Sequence, residues 1–83
     1  MNIITKQIEL IKRVDQLIRL QATGNPTELS NRLGISKTKL YRIIHLMRDF
    51  NAPIIYDDSV QSFVYAEEVG FRFGFYNRET LRV

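Results

Sequence analysis

Apolar side chains recur at helical spacing along the first 22 residues of the chain. Set at about 100° per residue, Ile3, Leu10, Val14 and Leu17 fall on one side of a cylinder. Ile4, Ile8, Ile11, Ile18 and Ala22 fall on the adjoining side. Together they cover roughly 180°, against the ~100° stripe of a helix packed on one core. Lys6, Glu9, Lys12, Arg13, Gln16 and Arg19 fill the opposite half. Asp15 alone interrupts the apolar arc, as a partly exposed acid expected to pair with a base. The pattern predicts a helix over 3–22. Gly24 supplies its stop, since glycine accepts the left-handed conformation of a helix C-terminus.

A second start follows at once. Asn25 can cap, Pro26 suits the first helical position, and Glu28 stands where it can reach back as in a capping box. This helix is expected over 26–33, burying Leu29 and Leu33, with Gly34 ending it and Ile35 plugging the corner. Ser36 caps a third helix over about 37–50, whose core stripe is Leu40, Ile43, Ile44 and Met47. Asn51, Ala52 and Pro53 then break the helical pattern.

Two short β-branched and aromatic runs, Ile54 to Tyr56 and Phe63 to Tyr65, flank a polar stretch from Asp57 to Ser62. They predict a hairpin over 54–66. Beyond it Val69, Phe71, Phe73 and Phe75 alternate with Gly70, Arg72, Gly74 and Tyr76, the period of a strand over 69–76 with one buried face. The tail 77–83 is short and polar and predicts no element. The chain reads as one mainly α domain over 1–83, with three helices, a small β-hairpin and an extra C-terminal strand.

Composition narrows the chemistry. The 83 residues include no cysteine and one histidine, so disulfides and thiolate metal sites are excluded and no metal or other cofactor is expected. No nucleophile–base pair, paired-carboxylate site or phosphate loop is visible, and catalysis is not expected. Lys6, Glu9, Lys12 and Arg13 interrupt the apolar start, so neither a signal peptide nor a membrane span is predicted, and a cytoplasmic protein is the default. The net charge of +3 says little, but its distribution says more. Residues 29–48 hold five of the twelve Lys/Arg and none of the nine Asp/Glu. A mildly acidic scaffold thus carries one basic segment, which points to a polyanionic partner.

That basic segment contains a helical corner. Leu29 and small Ser30 precede Leu33-Gly34-Ile35-Ser36, and Leu40 and Ile43 follow. Two helices crossing over a three- or four-residue turn need a small residue at the approach, a glycine at the bend and apolar glue around it. In these residues the chain resembles the winged helix-turn-helix family. "LSNRLGISKTKLYRII" followed by "PIIYDDSVQSFVYAE" is similar in layout to the DeoR-type and biotin-operon-repressor-type amino-terminal domains of bacterial regulators. The resemblance covers roughly residues 5–68, and the hairpin looks like the wing.

The resemblance implies a non-enzymatic, sequence-specific DNA-binding protein, a bacterial transcriptional regulator on the nucleoid. The third helix would enter the major groove of double-stranded DNA and present Ser36, Lys37, Thr38, Tyr41, Arg42 and His45. Helical spacing independently puts Thr38, Tyr41, Arg42 and His45 opposite Leu40, Ile43 and Met47. Arg42 can grip a guanine edge, and Thr38 or Tyr41 can touch a thymine methyl or a phosphate. Arg32, Lys37 and Lys39 suit backbone phosphates, and Arg48 completes the basic set.

The hairpin departs from the family pattern. Its loop offers Asp57, Asp58, Ser59, Val60, Gln61 and Ser62 where such wings usually carry Lys or Arg. Carboxylates there repel a phosphate backbone. A wing turned from DNA, or one meeting protein through Val60, fits better. The alternative function is therefore a winged helix adaptor that docks a protein partner without DNA. Surplus apolar surface on the first helix and the aromatic run predicts a homodimer formed through the first helix and the C-terminal strand, the competing account being that the strand folds back over the first helix and buries both within one chain.

Overall fold

The computed structural model describes residues 2–75. Three helices, α1 (Ile3–Arg19), α2 (Pro26–Leu33) and α3 (Lys37–Asp49), precede a hairpin of β1 (Ile54–Asp57) and β2 (Ser62–Tyr65). The fold is thus mainly α with a small β-wing. The strands pair antiparallel, with Ile54 opposite Tyr65 and Tyr56 opposite Phe63. The Tyr56 and Phe63 rings meet edge-on at 5.1 Å, the cross-strand contact that favours this register.

Each helix starts on a side-chain cap. Asn2 accepts the Thr5 amide, and Ser36 accepts that of Lys39. Asn25 and Glu28 exchange both bonds of a capping box, at 2.8 and 2.9 Å. All three helices end in the same closure, in which a left-handed residue folds the chain back and two amides bond to the last turn. Gln21 and Ala22 donate to Ile18 and Leu17, Gly34 and Ile35 to Asn31 and Ser30, and Asn51 and Ala52 to Arg48 and Met47. The left-handed residues are Gln21, Gly34 and Asn51.

This corrects the expected first helix. It stops at Arg19 rather than at residue 22, and Gln21, not Gly24, is its left-handed terminator. Gly24 serves the next helix instead. It also holds a positive φ, and a Cβ there would lie 2.8 Å from the Glu28 carboxylate that closes the capping box. Leu20 therefore sits past the helix, exposed.

One core gathers Val14 and Ile18 of α1, Leu29 and Leu33 of α2, Leu40, Ile43, Ile44 and Met47 of α3, Ile54 of β1 and Phe63 of β2. Ile35 packs on it at the corner. Only the second half of α1 reaches this core, and Ile3 and Ile4 stay exposed. The wide apolar arc of α1 is thus only partly spent on the interior.

A second correction concerns the aromatic run. Residues 69–75 form no strand, and the sheet holds only β1 and β2 among the described residues. Alternation alone cannot make a strand, because its backbone needs a ladder partner. Instead the run lies across α1 and the end of α3, where Val69, Phe71 and Phe73 line an apolar groove. Tyr76, the expected end of that strand, and the polar tail 77–83 lie outside the described residues. Among the described residues, no helix is long and apolar enough to cross a membrane.

Candidate nucleic-acid interface

The candidate surface is the outer face of α3. The helix is fixed from below, where Leu40, Ile43, Ile44 and Met47 are buried. Helical periodicity then forces Thr38, Tyr41, Arg42 and His45 to the outside, and all four are exposed. Tyr41 is half out of the protein, at 51% exposure, so its ring is not absorbed by the core. None of the four side chains makes an ion pair or side-chain hydrogen bond among the described residues.

Around that face the cations differ in their duties. Lys39 is exposed. Lys37 reaches the Thr27 hydroxyl only at 3.4 Å and stays exposed. Ser36 spends its oxygen on the Lys39 amide at 3.1 Å and keeps its hydroxyl proton for another acceptor. Arg32 turns back, its guanidinium donating to the Ala22 carbonyl, while Arg13 donates to the Arg32 carbonyl at 2.9 Å. Arg48 donates twice to the Ile54 carbonyl, at 3.2 and 2.9 Å, tying the end of α3 to the start of the hairpin. The structure therefore brings Ser36, Lys37, Thr38, Lys39, Tyr41, Arg42 and His45 to one surface. It gives Arg32 and Arg48 intramolecular work.

Asp49 was not foreseen on this surface. It stands one turn beyond His45 on the same face and is exposed. Its position follows from helical periodicity, so the spacing that selects Arg42 and His45 selects it too.

The hairpin is acidic and braced. Asp57 accepts both the hydroxyl and the amide of Ser59, at 2.6 and 2.9 Å, and these bonds hold its carboxyl below the ordinary range. Burial raises the Tyr56 hydroxyl, and the charges of Asp58 and Glu28 add to that rise. Hydroxyls pin the hairpin to the α1–α2 loop. Thr23 is fully buried, accepts the Phe63 amide at 2.8 Å, and lies 3.0 Å from the Ser62 hydroxyl. Asp15 has the base its place in the apolar arc called for. It pairs with Arg19 at 3.0 Å and accepts the Tyr65 hydroxyl at 2.6 Å. Burial, then the bond to Asp15, raise the Tyr65 pKa. Arg19 lies over the same ring.

Among the described residues, no group of three or more His, Asp or Glu is placed to hold a metal ion. The chain matches no family model, no curated protein and no solved structure.

Proposed function

We propose that the protein binds double-stranded DNA by laying α3 in the major groove, and that it acts as a sequence-specific transcriptional regulator of winged helix type in the bacterial cytoplasm, on the nucleoid. The observation that carries this is the unpartnered outer face of α3. Thr38, Tyr41, Arg42 and His45 project from a helix whose other side is fully committed to the core. Such a face has its geometry fixed and its hydrogen-bonding capacity unspent, as base readout requires. Lys37 and Lys39 flank it as phosphate contacts, which set register without reading sequence.

The acidic hairpin supports a second reading, a winged helix that docks a protein through its basic helix. Asp58 is exposed, so the hairpin tip is no natural phosphate contact.

A gel-shift titration with random duplex DNA at low and moderate salt separates the two. Lys37 and Lys39 neutralising about two phosphates give a log–log salt slope near −1.8 per chain. Undetectable binding at low salt removes the DNA reading and leaves the adaptor.

A further inference from the structure

Away from the α3 reading face, an apolar groove of about 560 Å³ lies between α1, the end of α3 and the segment after β2. Ile8 and Leu46 are half-buried in it, while Ile4, Phe50, Phe71 and Phe73 stand exposed around it. Phe75 continues the aromatic run and is fully exposed. Arg72 is the one charged side chain among its lining residues.

We infer that this groove is the interface between two copies of the chain. The area is right. Phe50 is 77% exposed, Phe71 41% and Phe73 59%, with Phe75 wholly outside. At roughly 200 Å² per phenylalanine, these four rings leave on the order of 550 Å² uncovered. Ile4, mostly exposed on the α1 wall of the groove, adds to that area. The sum approaches the ~800 Å² that each partner contributes to a standard interface, and passes what a monomer ordinarily leaves in one patch.

The shape is also self-complementary. A two-fold interface joins the same patch on both subunits, so each patch must carry both a hole and a knob. Here the groove is the hole, and the exposed ring of Phe73 on its wall is the knob. The near absence of charge matches the core of a homodimer and gives an acidic or basic partner nothing to grip. Because residues 69–75 form no strand, the contact is ring-into-groove packing rather than the pairing of strand edges.

This inference does not rest on DNA binding. Leu46 and Phe50 lie roughly 100° around α3 from the Thr38–Arg42–His45 line, so both surfaces can be occupied together.

Sedimentation velocity of the full chain, free of DNA, tests it across the micromolar range. The expected wild-type mass is that of two chains. The double variant Phe50→Glu, Phe73→Glu should sediment at half that mass with unchanged far-ultraviolet circular dichroism. Ile4→Glu, on the opposite wall, should do the same and covers the case in which the double variant misfolds. Arg42→Ala should stay dimeric, which keeps a failure of DNA binding distinct from a failure here. A wild-type chain at single mass at every concentration overturns the inference, as does a folded groove variant that remains a dimer.

Discussion

Thr23 joins the hairpin to the helices through one hydroxyl, and replacing it with valine isolates that joint. Valine keeps the volume and removes the oxygen. The fully buried Thr23 Oγ1 accepts the Phe63 amide at 2.8 Å and donates to the Gly24 carbonyl at 2.8 Å. In Thr23→Val the Phe63 amide loses its acceptor inside the protein. An orphaned buried donor costs about 1–3 kcal/mol. The Ser62 hydroxyl is spared, because it can still donate to the Phe63 carbonyl. The expected loss is therefore about 2 kcal/mol, a large share of the ~5 kcal/mol typical of so small a domain. Thr23→Ser is the control. It keeps the oxygen and removes one methyl, at a cost of about 1 kcal/mol. Urea denaturation followed by circular dichroism, at a slope near ~1 kcal/mol/M, should show midpoints falling by about 2 M for valine and about 1 M for serine. A valine variant as stable as wild type, or more stable than the serine variant, would refute the hydroxyl as the joint.

Other outcomes follow from the same geometry. Arg42→Ala should relax preference at one base position at a cost of about 1–3 kcal/mol, whereas Lys37→Ala should weaken all duplexes alike, as read by competition binding with a site library. Asp58→Ala should leave DNA affinity unchanged or slightly tighter in a gel shift, and a marked loss would mean that the hairpin tip contacts DNA. Gln21→Gly should raise the urea midpoint, because glycine holds the left-handed conformation at φ 52 without the ~1 kcal/mol strain of a side chain. The raised Tyr65 pKa stabilises the fold fully below the unfolded value of about 10, and that contribution falls as pH rises past it. The stability gap between wild type and Tyr65→Phe should thus hold up to about pH 10 and narrow as pH rises above it.

Caps were the most legible part of this sequence. Asn25, Pro26 and Glu28 announce α2 because each satisfies a local need of a helix start, and the bonds form within three residues. Gly34 marks its end for the same reason. Gln21 gives no such signal. Glutamine has no preference for a left-handed backbone, so its role comes from where Ile18 is anchored in the core. Gly24 misled because its positive φ was real but belonged to the approach of Glu28. The candidate surface shows the same division. Thr38, Tyr41, Arg42 and His45 follow from periodicity alone. Arg32 and Arg48 carry the same charge, yet their direction depends on the Ala22 and Ile54 carbonyls, which only the tertiary fold brings near. The aromatic run from 69 to 75 has a strand's alternation but pairs with neither strand; β2 is laddered to β1 on one edge, and its Phe63 amide is taken by Thr23.

The reach of α3 sets what one chain could recognise. From Thr38 to His45 the outer face spans seven residues, or about 10 Å at ~1.5 Å per residue. That is about three steps of a DNA strand at ~3.4 Å each. Extension toward the C-terminus is blocked twice, since Asp49 would face phosphate and Arg48 is drawn to the Ile54 carbonyl. The hairpin adds no cation at its tip to widen the footprint. With each well-read base pair worth about 1–3 kcal/mol, a single helix falls short of the ~4–10 kcal/mol that separates specific from non-specific sites, unless every contact is ideal. Two copies joined through the apolar groove double the read sequence without lengthening the helix. In the proposed dimer, the arrangement that would supply specificity is thus the one that covers Phe50 and Phe73. A site selected from random duplexes by the wild-type dimer should hold two inverted half-sites of about three base pairs, centred one helical turn apart. The Phe50→Glu, Phe73→Glu variant should retain salt-sensitive binding to any duplex and lose the preference for that palindrome. A variant that keeps the preference would uncouple the groove from recognition.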